Sequence, residues 1–359
     1  MFCTQPFNHI DVIVENEFIE IQPCNVWSGE RCVSSHAYND WINPIRKTLY
    51  ANFSYGCEIC KINESQNTES RRVSSNSFSL DNNLPTDSIV SVGLRYGTLC
   101  NAKCMVCDHT RSTGWISDSI SLGKKINSRY KFQKNKMENI EKVFEKFNLT
   151  NLRYVEFHGG EPLLHHYPES FLKLYANKNL TVKFNTNGSL IPNKKLSKLI
   201  DNCKEVIMLL SIDDVDKRFE LLRFPLKWNT VLQNIKYFKQ SNYTLGITPT
   251  ISALNVWYLE ELLEWIIKNN IVKVYPQFVY NPNFLDIKNL HQEIKEKLKE
   301  KFIIKNKLFS SIHNRLNQKG LDLTKQMITY IESLDKIRNT NYFNVLRSWH
   351  EVIQNSLYR

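Results

Sequence analysis

Apolar, strand-like runs alternate with helical patterns over the central part of the chain. Six runs rich in β-branched and aromatic residues predict strands at 88–97, 153–157, 181–186, 205–213, 244–252 and 273–279. Segments with apolar residues at helical spacing lie between them, at 137–147, 169–176, 193–203, 228–240 and 256–269. This alternation predicts βαβ units and a parallel sheet, wound into a partial barrel or an open twisted sheet. In either architecture the active site lies at the carboxyl ends of the strands.

The segments on either side of this main body have different patterns. Residues 61–88 are rich in Ser and Asn and poor in apolar residues, which predicts a linker or an extended surface segment. Residues 1–24 resemble a β-hairpin with its turn at Glu15-Asn16-Glu17, and the tail carries two helical patterns with charged faces. We therefore divide the chain into an N-terminal module, a linker, the main body and a helical extension, at 1–75, 76–87, 88–285 and 286–359.

Composition and charge narrow the class of protein. The 359-residue chain is 42% hydrophobic and 23% charged, as is ordinary for a globular protein. It has no run of about 18 apolar residues, and its opening residues lack the features of a secretion signal. We therefore expect a cytoplasmic protein without membrane contact. The net charge of +11 permits an anionic partner, but the lysines are scattered and no nucleic-acid-binding motif accompanies them, so we expect no nucleic acid.

The nine cysteines are distributed unevenly, because eight of them lie in the first 107 residues. Structural disulfides are rare in a reducing compartment, and an odd number argues against a closed disulfide framework. Dense groups of cysteines in such a compartment indicate metal centres.

Three of these cysteines follow the first strand of the main body with the spacing C-x3-C-x2-C: Cys100, Cys104 and Cys107. Zinc sites normally use C-x2-C pairs with a matching second pair. Three close thiolates instead suit a cubane iron–sulfur cluster that leaves one iron open to a small-molecule ligand. The alternative is a zinc site completed by His109.

Polar motifs stand at the ends of three later strands, namely HGGEPLL at 158–164, FNTNGSL at 184–190 and LSIDD at 210–214, with RF at 223–224 just beyond. Together with the cysteine triplet, this order resembles the radical S-adenosylmethionine (SAM) superfamily. The resemblance implies an α/β fold with a partial (β/α)6 radical SAM barrel over the main body, to which the N-terminal hairpin module and the helical C-terminal tail are added. It also implies a [4Fe–4S] cluster on the triplet. One departure is Val106, which stands where the family often has an aromatic near the adenine.

The resemblance further implies which residues bind SAM: Gly159, Gly160, Glu161, Asn187, Ser211, Asp213 and Arg223. The two glycines allow a close backbone approach, so that their loop, anchored by Glu161, would hold the methionine amino group. Asn187, Ser211 and Asp213 would contact the ribose hydroxyls and the methionyl moiety, and Arg223 would pair with the carboxylate. In the alternative interpretation, Asn187 forms only a turn and Asp213 only caps a helix.

The N-terminal module contains a second group of four cysteines: Cys3, Cys24, Cys57 and Cys60. Their layout resembles the twitch and SPASM modules that hold an auxiliary [4Fe–4S] cluster, in a subgroup where this module precedes the barrel. Four thiolates would ligate a cubane fully, and a structural zinc on the same four is an alternative. Cys32 is an alternative fourth ligand. Cys203 is expected to be a core cysteine, with hydrogen-atom donation to a substrate radical as its alternative role.

The resemblance implies a radical SAM enzyme, either an oxidoreductase or a peptide-modifying maturase. Such an enzyme takes an electron from flavodoxin or ferredoxin and cleaves SAM to methionine and a 5′-deoxyadenosyl radical, which abstracts a hydrogen from the substrate. The twitch/SPASM likeness favours a peptide or protein substrate, with a small molecule such as a sugar or nucleotide derivative as the alternative. A non-enzymatic iron–sulfur redox sensor or nucleic-acid-binding regulator is the remote alternative.

Overall fold

The computed structural model describes residues 2–15, 18–49, 53, 55–65, 70–85, 88–127 and 140–357. The chain divides into two compact units. The first comprises Met1–Leu99, Phe132–Asn185 and Pro192–Met208; the second comprises Cys100–Lys131, Thr186–Ile191 and Leu209–Arg359. These units divide the chain differently from the four predicted segments, whose bounds remain a prediction.

The strands of the first unit form a mostly parallel sheet. They are His9–Glu15 (β1), Phe18–Gln22 (β2), Ser91–Tyr96 (β3), Tyr154–His158 (β4), Thr181–Thr186 (β5) and Glu205–Leu210 (β6), in the spatial order β2-β1-β3-β4-β5-β6. β1 pairs antiparallel with β2 and parallel with β3, and the β3–β4 and β4–β5 pairs are also parallel. The predicted N-terminal hairpin therefore exists and extends the parallel sheet at its edge. Residues 16 and 17 of its turn lie outside the described residues.

Short parallel strand pairs occur in the second unit. Its strands are Thr244–Ile247 (β7), Thr250–Ile251 (β8), Lys273–Val274 (β9) and Gln277–Phe278 (β10), with β7 beside β9 and β8 beside β10. Each of the last two predicted strands is thus divided in two. The breaks contain Pro249 and Pro276, which have no N–H to donate to a neighbouring strand.

Helices follow the strands in chain order and confirm the predicted α/β class. In and around the main body they are Trp115–Ser121, Ile140–Phe144, Tyr167–Tyr175, Lys194–Ile200, Asp216–Leu222, Trp228–Gln240 and Leu259–Lys268. The tail contains Gln292–Lys301, Lys307–Asn317, Thr324–Arg338, Tyr342–Val345 and Arg347–Leu357. Residues 137–139 of the predicted helix at 137–147 lie outside the described residues. Over the part of the chain that the structure describes, no helix is long and apolar enough to cross a membrane.

The prediction of a linker or extended segment at 61–88 is wrong over most of its length. Helices cover Glu58–Ser65 and Arg71–Asp81 within the described residues of this stretch. Ser70 caps the second helix by accepting a hydrogen bond from the Val73 N–H at 3.1 Å. Asn76 donates to the Phe2 carbonyl at 2.6 Å. The Ser and Asn side chains that suggested a surface segment therefore cap this helix and attach it to the N-terminus.

Candidate active site

The cysteine triplet lies in the loop that follows β3, within the second unit. Cys104 is buried, Cys100 and Cys107 are half-buried, and the Cys107 N–H donates to the Cys104 carbonyl at 2.9 Å. A hydrogen bond from the Cys107 thiol, together with the charge of Arg223, lowers the pKa of Cys104 to about 7 against the effect of burial. A metal ligand must be a thiolate, so Cys104 is prepared for that role.

Two backbone hydrogen bonds hold the cysteine loop against the C-terminal end of the helix Asp216–Leu222 and the residues directly after it. The Lys103 N–H donates to the Phe224 carbonyl at 2.5 Å, and the Met105 N–H donates to the Leu222 carbonyl at 2.8 Å. Arg223 stands between these two acceptors, and its Nη1 lies 3.6 Å from Cys104 Sγ. The fold therefore brings a buried guanidinium to the central cysteine.

Asp213 holds Arg223 in this position. Its Oδ2 lies 2.9 Å from Arg223 Nη2, its Oδ1 accepts from the Thr250 N–H at 2.8 Å, and its carbonyl accepts from Asn255 Nδ2 at 2.8 Å. Among the described residues, the buried Arg223 Nε has no hydrogen-bond partner. A buried donor without a partner is costly, and a carboxylate is the acceptor that a guanidinium prefers. The site thus fits the predicted pairing of Arg223 with the SAM carboxylate, whereas Asp213 orients the arginine.

Asn187 lies in a turn that contacts the cysteine loop in the second unit. Its Nδ2 donates to Asn101 Oδ1 at 2.8 Å, and its own Oδ1 accepts from the Ser189 N–H at 2.9 Å. Asn101 Nδ2 in turn donates to Ser189 Oγ at 2.9 Å. Gly188 has a φ of +77°, which supports the turn. The half-buried Ser211 is held by its backbone, whose N–H donates to the Thr186 carbonyl at 2.8 Å.

The Gly159-Gly160-Glu161 loop belongs to the first unit and packs on the backbone just before the triplet. A Cβ at Gly160 would lie 2.1 Å from the Leu99 carbonyl oxygen, so only glycine fits there. The same carbonyl accepts from the Glu161 N–H at 2.8 Å, and His165 Nε2 lies 3.2 Å from it. Glu161 is fully buried and its Oε1 accepts from the Leu163 N–H at 3.1 Å. In this structure the second glycine serves a close approach between two loops.

The four cysteines of the N-terminal module line a single cavity in the first unit: Cys3, Cys24, Cys57 and Cys60. Burial raises the pKa of Cys3 to about 11, and the neighbouring thiols Cys57 and Cys60 raise it further against a hydrogen bond from the Gln5 backbone. Burial likewise raises the pKa of Cys24. Arg71 and Arg72 also line the cavity. Thiols are the ligand type of both iron–sulfur and zinc centres, but among the described residues no three potential ligands lie close enough together to hold a metal ion.

Two cysteines remain outside these groups. Cys32 is absent from the described lining of the cavity, and its thiol donates to the Ser34 carbonyl at 3.0 Å. Cys203 is half-buried, its thiol donates to the Leu199 carbonyl at 3.6 Å, and burial raises its pKa to about 11. A protonated thiol that bonds the backbone at the end of the helix Lys194–Ile200 suits a structural role.

The sequence analysis missed a row of charged residues on one face of the first unit's sheet. Asp11, Gly93, Glu156 and Lys183 stand side by side on four neighbouring strands, and Glu156 pairs with Lys183 at 2.9 Å. Asp11 Oδ1 extends across Gly93, where a Cβ would lie 1.7 Å from it, and reaches to 3.6 Å from His158 Nε2. This row could have been found in the sequence, because its charged residues stand in strands that are otherwise apolar, where successive side chains point to opposite faces.

Comparison with known proteins supports the resemblance that the cysteine triplet and the motifs after it indicated. Residues 94–266 match the family model described as Radical SAM superfamily. An uncharacterized protein of Methanocaldococcus jannaschii is 25% identical over 189 residues, which cover 50% of this chain and 59% of that protein. The chain therefore spans less than two thirds of the curated relative that it matches.

Solved structures show weaker likeness. The protein anSMEcpe with bound S-adenosylmethionine and the Cp18Cys peptide is 18% identical, with a TM-score of 0.42 over 59% of this chain and 58% of that one. SuiB of Streptococcus suis bound to the precursor peptide SuiA is 14% identical, with a TM-score of 0.41 over 83% of this chain and 57% of that one. The family match implies SAM and a [4Fe–4S] cluster as cofactors. The residues that match this family model, 94–266, make up just under half of the chain.

Proposed function

We propose that this enzyme cleaves SAM reductively to methionine and a 5′-deoxyadenosyl radical, which abstracts a hydrogen from a peptide or protein substrate. One observation carries the proposal most directly: the buried Arg223 contacts Cys104 through one nitrogen, is held by Asp213 through another, and keeps Nε without a partner among the described residues. A cluster ligand and a carboxylate-binding group therefore lie side by side, as cleavage of a cluster-bound amino acid derivative requires.

The residues of the chain have distinct roles in this proposal. Cys100, Cys104 and Cys107 would hold the cluster, and Arg223 would bind the SAM carboxylate, oriented by Asp213. When bound, the [4Fe–4S] cluster supplies the electron that cleaves SAM. The hydrogen bond from Cys107 and the charge of Arg223 favour the thiolate of Cys104, which is the form that binds a metal.

The N-terminal cavity would hold an auxiliary [4Fe–4S] cluster on Cys3, Cys24, Cys57 and Cys60. Its support is the convergence of four thiols on one cavity that is also lined by two arginines, whose charge would offset that of a thiolate-ligated cluster. Zinc on the same ligands is the alternative. A fully ligated cluster suits electron transfer, so this site would accept an electron from the substrate radical or relay one.

The substrate class is inferred from the N-terminal module. The likeness of the N-terminal module to twitch and SPASM modules favours a peptide or protein, and a small molecule such as a sugar or nucleotide derivative is the alternative. Flavodoxin or ferredoxin would donate the electron. All nine cysteines are free, which suits the reducing cytoplasm where such donors occur.

The reaction is tested with anaerobically reconstituted protein, SAM and dithionite. We expect 5′-deoxyadenosine from the wild-type protein and none from Cys104→Ala. Cys203→Ser is the matched control, because the Cys203 thiol bonds the Leu199 carbonyl and belongs to neither group of cysteines, and it should keep the wild-type rate. Absence of 5′-deoxyadenosine from wild-type protein with an intact cluster would refute the proposed reaction.

The substrate class is tested by transfer of deuterium. An extract of the source organism grown in deuterated medium is separated by size into a macromolecular and a metabolite fraction, and each is added to the reaction. If the substrate is a peptide or protein, deuterated 5′-deoxyadenosine forms with the macromolecular fraction. Deuterium that appears only with the metabolite fraction favours the small-molecule alternative.

A further inference from the structure

A helix of the C-terminal tail makes direct contact with the cysteine loop. The helix Thr324–Arg338 lies outside the matched residues 94–266, yet Tyr330 Oη donates to the Met105 carbonyl at 2.8 Å. The preceding carbonyl, that of Cys104, accepts from Trp115 Nε1 at 2.9 Å. Two consecutive carbonyls of the loop are therefore held by aromatic side chains, and one of these belongs to the tail.

The two aromatic side chains also support each other. The rings of Trp115 and Tyr330 are stacked, with centroids 6.5 Å apart and an interplanar angle of 9°. Trp115 is fully buried, so its orientation is set by packing. The guanidinium of Arg338 lies over the Trp115 ring at 4.6 Å and over the Phe224 ring at 5.3 Å. The last turn of the tail helix thus covers the same tryptophan.

A shared carboxylate completes this contact. Arg338 Nε donates to Asp118 Oδ2 at 2.8 Å, and Lys103 Nζ, from the cysteine loop, donates to Asp118 Oδ1 at 2.6 Å. The side chains of Arg338 and Asp118 are each only 3% exposed. Asp118 therefore links the tail to the cysteine loop through two charged hydrogen bonds.

We propose that Tyr330 and Arg338 are positioning residues that set the geometry and the reduction potential of the cluster on the triplet. This inference rests on the proposed function of that site. Tyr330 fixes the backbone at Met105, beside the central ligand. Arg338 provides a second buried positive charge besides Arg223, and positive charge near a thiolate-ligated cluster favours its more negative, reduced state.

The test compares Tyr330→Phe and Arg338→Gln with two matched controls in the full-length, anaerobically reconstituted protein. Tyr342→Phe removes another tail hydroxyl, which lies 2.9 Å from His350 Nδ1, and Arg347→Gln removes an exposed arginine of the next helix. For each protein we measure the iron content, the midpoint potential, and the electron paramagnetic resonance spectrum of the dithionite-reduced protein with and without SAM. The change caused by SAM reports on the triplet, which alone leaves an iron open.

We expect both test variants to keep the wild-type iron content. In Arg338→Gln the ratio of reduced to oxidised cluster at a fixed potential should fall about tenfold, equal to about 59 mV for a one-electron couple. In Tyr330→Phe the SAM concentration for half the spectral change should rise roughly threefold, because one hydrogen bond to the loop is lost. Arg338→Lys, which keeps the charge, should recover most of the potential.

Four outcomes would overturn the inference. The first is a wild-type potential and SAM response in both test variants, and the second is an equal shift in the two controls. The third is a potential in Arg338→Lys as low as in Arg338→Gln. The fourth is loss of iron from the test variants with no change in the properties of the remaining cluster. A wild-type protein without any SAM-dependent spectral change refutes the proposed function instead, and this inference with it.

Discussion

The two groups of cysteines differ in the charge that lies beside their thiols. In the second unit, Cys104 receives a hydrogen bond from Cys107 and lies 3.6 Å from a buried arginine, so its pKa is lowered to about 7, while the same hydrogen bond raises the pKa of Cys107. In the first unit, burial raises the pKa of Cys3 to about 11 and also raises that of Cys24. The triplet thus has a buried positive charge beside its central thiol, whereas burial keeps Cys3 and Cys24 protonated until a metal displaces their protons.

This difference matches the roles proposed for the two sites. A site with an open ligand position must stay charged and accessible while a cosubstrate binds and leaves, so fixed charges are useful there. A site with a complete set of thiolates is closed, and its buried thiols need only be paired once, when the metal enters. The comparison predicts that removal of charge damages the triplet most. Removal of thiols or a change of pH should instead damage the N-terminal group of four cysteines.

The largest effect is expected for Arg223→Gln. Removal of this guanidinium leaves Asp213 as a buried carboxylate without its cation, which should lower the free energy of unfolding by about 3–5 kcal/mol. Formation of 5′-deoxyadenosine should fall at least about 100-fold, since an interaction with a charged group is lost. Urea unfolding measures the free energy, and product analysis measures the formation of 5′-deoxyadenosine. The exposed Arg347→Gln should change the unfolding free energy by less than about 0.5 kcal/mol. Equal behaviour of the two variants would contradict the role given to Arg223.

Loss of one whole centre is expected when both Cys57 and Cys60 are replaced by Ala. If both sites hold cubanes, reconstituted wild-type protein should carry about eight irons per chain, at four per cluster, and the double variant about four. Cys32→Ser is the control and should keep the wild-type content, because its thiol bonds Ser34 instead. A wild-type protein with about four irons and about one zinc would favour the zinc alternative.

The pH dependence of the apo protein tests the closed site. The pKa of Cys3 is raised on folding from 9.0 to about 11, so the folded state binds the thiol proton more tightly. The stabilisation is fully present below pH 9 and is lost as the pH rises towards 11, with an upper limit of about 2–3 kcal/mol. Urea unfolding of metal-free protein at pH 8 to 11 should show this loss, reduced in Cys3→Ser. Equal slopes in the two proteins would exclude Cys3 as a source.

The smallest effect is expected for Gly160→Ala. The added Cβ would lie 2.1 Å from the Leu99 carbonyl oxygen, so the two loops must separate, at a cost of about 1–3 kcal/mol. The rate of 5′-deoxyadenosine formation should fall with it, because Leu99 directly precedes Cys100. Gly123→Ala is the control for the backbone, since Gly123 has a φ of +72° and no atom of its described surroundings within 4 Å. A wild-type rate in Gly160→Ala would show that the close approach is not required.

The alternation of strands and helices was predictable, and so was the position of each motif after its strand. The helix Trp228–Gln240 and the strand Thr181–Thr186 coincide with their predicted bounds, because their apolar residues have regular spacing. The helix Arg71–Asp81 was missed because its stability comes from a Ser70 cap and from contacts with the distant N-terminus, neither of which has a periodic apolar pattern. The row that contains Asp11 and Glu156 was missed because its residues become neighbours only when separate strands pair in the sheet.

The sequence by itself determined the α/β class and separated the two groups of cysteines, since spacing of apolar residues and of cysteines is a local property of the chain. Only the tertiary structure decided that Asp213 orients Arg223 at Cys104, that four distant thiols share one cavity, and that Tyr330 of the tail holds the cysteine loop. These relations join residues far apart in the chain, and no short-range pattern specifies such a pairing. Burial and neighbouring charge then give chemically identical thiols pKa values that lie about four units apart.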